Sequence, residues 1–216
     1  MAVNDIDIIC ITETHLNSDI LDAEIDIEGF CLNRKDRNFN IKSDKLDDYS
    51  DGGGSIIYFK KHLNVNLVQE FENAPDSLAI SVQLDRGNIC IACIYRSMSL
   101  NAKQNQTLIS CIESICNDKI YGESMIFGDL NLPDVSWVTG TVNCKADTDN
   151  KVLLNQIRFI ELFDLKGLSW YFTDEITRRR MVKGVLQESL LDQILTTNDA
   201  LLNSVEILPK LGKSDH

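Results

Sequence analysis

Three short polar clusters each follow an apolar run of the sequence that has the length of a β-strand. The first contains Glu13, the second contains Asp129 and Asn131, and the third contains Asp215 and His216. The end of a strand is where a rigid scaffold presents functional groups to a ligand. Carboxylates, an amide and an imidazole can bind a metal ion, orient a water molecule and stabilise developing charge. The sequence therefore offers the groups that metal-assisted hydrolysis needs.

A fourth candidate, Asp192, lies inside the apolar run Leu-Leu-Asp-Gln-Ile-Leu. Burial of an unpaired carboxylate in such a run would be expensive, so we expect Asp192 to have a partner. A histidine elsewhere in the chain is a natural one, because a carboxylate fixes the tautomer of an imidazole. We expect the other two histidines, His15 and His62, to lie at the surface or to be satisfied by structural contacts.

Each cluster taken alone also has an ordinary structural interpretation. Glu13 could be a solvated carboxylate at a strand end, and Gly-Asp-x-Asn is a common turn signal. Ser-Asp-His by itself carries little information. The ordered set of clusters, each at the end of a separate strand, favours a functional site over these interpretations.

The composition is that of an ordinary globular domain, with 44% hydrophobic and 25% charged residues in a chain of 216. No apolar run reaches the length of a membrane span. The net charge of −12 argues against a typical nucleic-acid binder, because phosphate neutralisation drives such binding. A catalytic metal ion can supply the missing positive charge at the site. The densest basic cluster, residues 177–180 with Lys183, is predicted to be a loop that either contacts phosphates or is simply solvated.

Most of the seven cysteines lie in apolar runs, which indicates small buried side chains in a reducing compartment. Cys90 and Cys93 form a Cys-x-x-Cys pair within an alternating run. Residues three apart on a strand point to opposite faces of the sheet, so a buried strand is favoured there over a zinc site.

The hydrophobic pattern predicts strands separated both by hairpin turns and by helices, which favours an α/β sandwich with mixed sheets. Two helices are indicated by apolar residues at spacings of three and four, at Leu108, Ile112 and Ile115 and at Leu153, Ile157 and Ile160. Trp137 is expected to pack in the core rather than to stack on a base. The predicted strands are residues 5–12, 55–59, 78–84, 88–95, 124–128, 189–195 and 204–208.

Five motifs in this order, ITETHL, CIYR, GDLNLPDVSW, LLDQIL and SDH, resemble the endonuclease/exonuclease/phosphatase superfamily, which includes deoxyribonuclease I and the apurinic/apyrimidinic endonucleases. The longer forms TETHL, Leu-Pro-x-x-x-Trp and LDQILTTN are most similar to the endonucleases of non-LTR (LINE-type) retrotransposons, in the jockey and chicken-repeat branches. The resemblance extends over nearly the whole chain, from about Asp5 to His216.

This resemblance implies a four-layered α/β/β/α sandwich with two mixed β-sheets. It also implies a Mg²⁺-dependent phosphodiester hydrolase, for which Mn²⁺ is a possible substitute, that nicks target DNA to prime reverse transcription. The partners it implies are the target-site DNA duplex and, in the parent polyprotein, a reverse transcriptase downstream. An intracellular location with access to the nucleus follows from that role, with no membrane association.

The superfamily has a strand before the ITE motif and another after Ser-Asp-His. We therefore expect residues 1–216 to form a single domain that lacks its first and last strands. Two alternatives stay open. The truncated ends and the acidic charge favour an inactive retroelement remnant or a domesticated binding module, and a lesser alternative is a phosphoesterase of the same superfamily acting on a small substrate.

The resemblance also implies a role for each candidate residue. Glu13 would be the principal metal ligand, with Asp215 as a further ligand or close to the metal, and Asp129 would orient or deprotonate the attacking water. The residues expected to act on the phosphate are Asn131, Tyr95 and His216, with Asp192 holding His216. The residues expected to bind the substrate are Arg96, Arg178, Arg179 and Arg180.

Overall fold

The computed structural model describes residues 6–37, 52–117, 119, 121–143, 149–209, 212, 214 and 216. Two α-helices lie in these ranges, α1 (Ala102–Asn117) and α2 (Asn150–Lys166). The strands, in chain order, are β1 (Ile8–Thr12), β2 (Phe30–Lys35), β3 (Ser55–Lys60), β4 (Asn64–Leu67), β5 (Leu78–Leu84), β6 (Gly87–Tyr95), β7 (Glu123–Asp129), β8 (Val135–Ser136), β9 (Thr141–Val142), β10 (Ser169–Trp170), β11 (Arg178–Val182), β12 (Val185–Ser189) and β13 (Asp192–Thr196).

A mixed six-stranded sheet carries the site, with strand order β10-β13-β7-β6-β5-β4. Its central pair, β6 and β7, is parallel and is connected through α1, as parallel neighbours require a crossover. The other neighbours are antiparallel, including the predicted hairpin of β5 and β6. The carboxyl ends of β6 and β7 therefore meet the start of β13 at one edge of the sheet.

Both helices pack against one face of this sheet. Leu108, Ile112 and Ile115 form the buried stripe of α1, as the spacing predicts. In α2 the most buried positions differ from the predicted stripe, because Leu153 and Ile157 are only half-buried. The helix is rotated so that its interior positions are Gln156, Phe159, Ile160, Leu162 and Phe163.

The opposite face of the large sheet packs on a three-stranded sheet of order β1-β3-β2. Alternation along the strands separates two apolar layers. Ile57 lies between the sheets with Ile80 and Ile91, whereas Ile56 and Tyr58 face outward. These layers confirm the α/β sandwich.

The small sheet departs from the expected architecture in two respects. Its described strands are all antiparallel, so it is not a mixed sheet. Its outer face is covered by the chain around Leu16, Ile25 and Ile27, which contains a single 3-10 turn in place of the expected outer helix, as far as the described residues extend. A short apolar segment is enough here because the outer cluster is small.

Three predictions of secondary structure near the end of the chain are wrong, two of strands and one of a loop. Residues 189–195 do not form one strand, because β12 ends at Ser189 and β13 begins at Asp192. Residues 204–208 form no strand. The basic segment predicted as a loop is instead β11, paired with β12 in a hairpin that stands apart from both main sheets.

The prediction for the Cys-x-x-Cys pair is confirmed. Cys90 packs on the helix side of the large sheet and Cys93 between the sheets, so the two thiols point to opposite faces. Trp137 is buried against Phe163 and Trp170, as a core residue. No helix in the described part of the chain is long and apolar enough to cross a membrane.

Candidate active site

The register of the large sheet places three functional side chains at paired positions on neighbouring strands. Asp129 at the end of β7 pairs with Tyr95 at the end of β6 and with Asp192 at the start of β13. The close approach of β6 and β7 requires glycine at position 128, since a Cβ there would lie 2.0 Å from the carbonyl oxygen of Ile94. The glycine of the Gly-Asp-Leu-Asn motif therefore serves the fold, and the aspartate after it is left at the edge of the sheet.

Asp192 is fixed by the segment that precedes the hairpin. The Oγ1 of Thr177 accepts hydrogen bonds from the backbone N–H groups of Leu191 and Asp192, at 3.0 and 3.1 Å. The backbone N–H of Leu130 donates to the carbonyl of Leu191 at 2.9 Å, which ties the loop after β7 to the start of β13. The partner predicted for Asp192 is a histidine, His216, whose Nδ1 lies 2.7 Å from Asp192 Oδ2.

The imidazole of His216 lies between two carboxylates. Its Nδ1 is hydrogen-bonded to Asp192, and its Nε2 is 3.8 Å from Asp129 Oδ2, too far for a direct hydrogen bond. The hydrogen bond to Asp192 raises the pKa of His216, and the negative charge of Asp129 adds to this shift. The pair therefore favours an imidazolium whose Nε2–H faces Asp129.

Asp129 is almost completely buried, with 2% of its surface exposed. Burial, followed by the charge of Asp192, raises the pKa of Asp129 to about 7. The backbone N–H of Asn131 donates to Asp129 Oδ1 at 2.9 Å and partly opposes this shift. A carboxylate that titrates near neutral pH is suited to accept a proton from a water molecule.

We expect Asp129→Asn to remove a pH dependence of stability in the metal-free protein. Because the folded state raises the pKa of Asp129 above its ordinary value of 3.8, it binds a proton more tightly than the unfolded state does. Wild-type stability should therefore fall as pH rises from about 4 to 7. In EDTA, the Tm of Asp129→Asn should exceed that of wild type by several degrees at pH 8 and by little at pH 5. An equal difference at both pH values would contradict the shifted pKa.

Glu13 and Tyr95 form the other half of the site. The Tyr95 hydroxyl donates a hydrogen bond to Glu13 Oε1 across the two sheets. Burial, and then the bond to Glu13, raises the pKa of the phenol, so Tyr95 keeps its proton. Glu13 also contributes to the raised pKa of Asp129, which places its charge close to the buried carboxylate.

Backbone strain is concentrated around this cluster. Glu13 and Asn131 have φ values of +52° and +45°, in the left-handed region that side chains other than glycine adopt at a cost. Such strain is typical of residues held in place by the surrounding structure at functional sites. Asn131 is 6% exposed and follows Asp129 by two residues, so the turn holds both side chains at the same edge.

Arg96 does not have the substrate-binding geometry expected of it. Its side chain is 4% exposed, and burial lowers the pKa of its guanidinium to about 10. The guanidinium donates to Asn105 Oδ1 at 2.9 Å and to the carbonyl of Asn131 at 2.7 Å. Successive residues of a strand point to opposite faces, so Arg96 enters the helix side of the sheet, where it lies over the ring of Phe159 at 5.3 Å. Arg96 therefore holds the loop that carries Asn131 from the helix side of the large sheet.

The arginines of the hairpin lie beside the site. Arg178 is close enough to His216 to lower its pKa. Arg179 and Arg180 are exposed, and Arg179 Nε lies 2.9 Å from Glu188 Oε1 on the neighbouring strand. Asp215, predicted as a metal ligand, lies outside the described residues.

Carboxylate oxygens predominate among the potential ligands of a cation here. Ligand atoms of Asp129, Asp192 and His216 lie within 4.8 Å of one another, in the one such group found among the described residues. Glu13 belongs to no such group, but its charge acts on Asp129. The negative charges of Asp192 and Glu13 add to the effect of burial on the pKa of Asp129, and a divalent cation would relieve that repulsion. The donor set therefore fits a hard cation such as Mg²⁺, which keeps several waters and needs few carboxylates.

Two residues near the site were not identified from the sequence. The guanidinium of Arg37 lies over the Tyr95 ring, with Cζ 5.8 Å from the ring centroid. Asp76, at a φ of +46°, accepts hydrogen bonds from Arg37. No spacing pattern links positions 37, 76 and 95, because these residues are far apart in the sequence and meet only in the folded chain.

A family model described as endonuclease-reverse transcriptase matches residues 89–216, which include every candidate residue except Glu13. No curated protein sequence matches the chain.

Solved structures of similar fold include the endonuclease domain of TRAS1, a telomere-specific non-LTR retrotransposon. It is 15% identical with a TM-score of 0.60, over 92% of this chain and 76% of that one. A 3′-5′ exonuclease, NExo from Neisseria meningitidis, is 14% identical with a TM-score of 0.55, over 90% of this chain and 77% of that one. The 3′ phosphatase NExo from Neisseria bound to a product DNA hairpin is 13% identical with a TM-score of 0.54, over 90% and 77%. At these identities the likeness confirms the fold.

Proposed function

The chain belongs to the endonuclease-reverse transcriptase family, and from this premise we propose that it is a Mg²⁺-dependent endonuclease that nicks target DNA to prime reverse transcription. As a member of the endonuclease/exonuclease/phosphatase superfamily it is a nuclease or phosphoesterase domain. The observation that carries the finer proposal is the convergence of Asp129, Asp192 and His216 with the Tyr95–Glu13 pair. The parent polyprotein would carry a reverse transcriptase.

Glu13 would hold the metal ion, with Asp215 as a proposed second ligand. When bound, the ion would polarise the phosphate and make a coordinated water more acidic. Glu13 is suited to this role because its carboxylate is held by the Tyr95 hydroxyl and its charge acts on Asp129.

Asp129 would accept the proton of the attacking water. Its pKa of about 7 makes it ionised in a useful fraction of molecules near neutral pH and basic enough to remove a proton. The N–H of Asn131 holds Oδ1, which leaves Oδ2 directed toward His216 and the space between them.

The phosphate would be held by donors on three sides. The imidazolium of His216 and the amide of Asn131 can each donate to a non-bridging oxygen, where negative charge grows in the transition state. The Tyr95 hydroxyl gives its one proton to Glu13, so it would donate to the phosphate only once a bound metal ion takes over that carboxylate. Asp192 would keep His216 protonated and oriented. Arg96 would hold the Asn131 loop without touching the substrate.

Metal dependence tests this proposal directly. The wild-type protein should nick supercoiled DNA in Mg²⁺, with Mn²⁺ as a substitute, and EDTA should abolish nicking. Because few protein groups would bind the ion, circular dichroism should show the same folded protein with and without EDTA. Unfolding on chelation would indicate a structural metal instead, and undiminished nicking in EDTA would refute the metal-dependent mechanism.

The exposed face of the hairpin would bind the DNA backbone. Arg179, Arg180 and Lys183 supply positive charge along the hairpin, which begins near His216 at Arg178, although the chain as a whole is acidic. The pair between Arg179 and Glu188 is exposed and therefore weak, so a phosphate could replace Glu188.

We expect Arg179→Ala to weaken DNA binding for all sequences and to reduce the slope of log K against log salt by about one. Glu188→Gln should have the opposite effect on affinity, because it frees Arg179 and removes a negative charge. Arg158→Ala, an exposed arginine of α2, is the control. Binding isotherms at several salt concentrations would measure these effects. An unchanged slope of log K against log salt in Arg179→Ala would mean that the hairpin is a solvated surface that does not bind the DNA backbone.

The net charge of −12 favours a second candidate, a retroelement-derived binding module without activity. The binding module and the enzyme differ in whether they nick DNA. A module would bind DNA or another partner in Mg²⁺ and never nick it, whereas the enzyme nicks.

A further inference from the structure

Arg37 lies two residues after the end of β2, and its guanidinium contacts the phenol ring of Tyr95. The guanidinium carbon is 5.8 Å from the ring centroid, within the range of a cation–π contact. The Tyr95 hydroxyl donates its proton to Glu13, the proposed metal ligand. A cation held over the ring therefore helps to set where that hydroxyl lies.

The position of Arg37 is itself fixed by a buried carboxylate. Asp76 is 7% exposed, and its Oδ2 accepts from Arg37 Nε and Nη2 at 2.9 and 2.7 Å. Removing this arginine would leave Asp76 with an unpaired charge, and hydrogen bonds from a guanidinium orient a planar group well. Asp76 immediately precedes Ser77, whose Oγ accepts the backbone N–H of Tyr95 at 3.2 Å. The same segment therefore holds the arginine and the backbone of the tyrosine.

A glycine leaves the space that the guanidinium occupies. At Gly53 a Cβ would lie 2.3 Å from Arg37 Nη2, so any other residue would displace the arginine. The Gly53 carbonyl accepts the backbone N–H of His15 at 3.0 Å, and the Gly54 carbonyl accepts that of Thr14 at 3.4 Å. These bonds join the Arg37 cradle to the turn that carries Glu13.

We propose that Arg37 is a positioning residue for phosphodiester hydrolysis, which fixes the Tyr95 side chain so that its hydroxyl holds Glu13, the proposed metal ligand. This inference rests on the proposed function. Arg37 acts through Tyr95, so its contribution exists only while the hydroxyl is present.

A double-mutant cycle with Arg37→Ala and Tyr95→Phe tests this dependence. Initial rates of plasmid nicking in Mg²⁺ would give kcat and KM for wild type, both single variants and the double variant. We expect Arg37→Ala to lower kcat about 10-fold with little change in KM, because a small misplacement of a reacting group is enough. In the Tyr95→Phe background the same change should have no further effect, since coupled residues are not additive. Arg37→Lys, which keeps the charge, should recover part of kcat.

Arg34→Ala is the matched control. Arg34 lies on β2, three residues before Arg37, and pairs with Asp22 and Asp36 at 3.2 and 3.4 Å. Its side chain is about as enclosed as that of Arg37 (17% and 18% exposed). Its loss should leave kcat within about twofold, since it does not act through Tyr95. If Arg37→Ala does not fold, the cycle is measured with Arg37→Lys.

Three results would overturn the inference. Losses that multiply in the double variant would mean that Arg37 acts independently of Tyr95. A rise in KM alone would mean direct contact with the substrate, and an equal loss of kcat in Arg34→Ala would mean general disruption of the segment. In each case the wild type still nicks DNA, so the proposed function stands. Absence of nicking by the wild type would overturn the proposed function and this inference with it.

Discussion

Replacing His216 by alanine is expected to lower the rate of DNA nicking by about 100-fold or more, with DNA affinity nearly unchanged. The imidazole is fixed by Asp192 at 2.7 Å, and its Nε2 faces Asp129 across 3.8 Å, the space in which the phosphoryl group would react. It carries positive charge there because both carboxylates raise its pKa. Loss of one preorganised donor of this kind removes stabilisation from the transition state alone.

Asp192→Asn tests whether this aspartate acts through His216. Its loss should lower the raised pKa of His216, so that nicking declines with rising pH at a lower pH than in wild type. A variant that combines Asp192→Asn with His216→Ala should nick no more slowly than His216→Ala alone, since the effects of groups that act as a unit are not additive. His62→Ala, at an exposed histidine, is the control and should nick at the wild-type rate. A multiplicative loss in the double variant, or an equal loss in the control, would contradict the pairing.

The edge of the large sheet could be predicted from the sequence because its signals are local. Short β-branched runs ending in polar residues predict strands whose last side chains face a ligand. The structure accordingly brings Tyr95, Asp129 and Asp192 to one level. The roles of these residues stay predictions, since proximity does not establish chemistry.

The hairpin of β11 and β12 could not be predicted, because it lacks the alternation that marks a half-buried strand. Met181, Val185 and Leu186 are all more than half exposed, and charged residues occupy both faces. Pairing of the two strands, together with the turn at Lys183 and Gly184, stabilises it in place of burial. Residues 204–208 show the opposite case, an apolar run that finds no neighbouring strand in the described part of the chain.

Arg37 and Arg96 show why motif neighbours are poor guides to roles. Arg96 adjoins Tyr95 in sequence, yet the alternation of the strand directs it into the core. Arg37 is 58 positions from Tyr95 and reaches it only because β2 ends beside β6 across the two sheets. Long-range contacts of this kind leave no periodic trace in one sequence.

Replacing Asp129 by alanine removes the buried carboxylate between Tyr95 and Asp192. We propose that this carboxylate activates water for attack on a phosphodiester, so its loss should abolish most of the nicking activity. Burial makes ionised Asp129 unfavourable for folding, so its removal relieves this cost at neutral pH and offsets the hydrogen bond lost to the Asn131 N–H. We therefore expect the Tm to be maintained, and measuring it separates a lost rate from unfolding. Affinity for DNA should persist, since Asp129 is not an anchor for the backbone.

The measurement is the rate of nicking of supercoiled DNA in Mg²⁺ at pH 7.5, for wild type and Asp129→Ala, with DNA affinity and Tm recorded for both. The wild type should nick, and Asp129→Ala should nick on the order of 100-fold more slowly or less still, with affinity and Tm maintained. Nicking by Asp129→Ala at the wild-type rate would contradict the account.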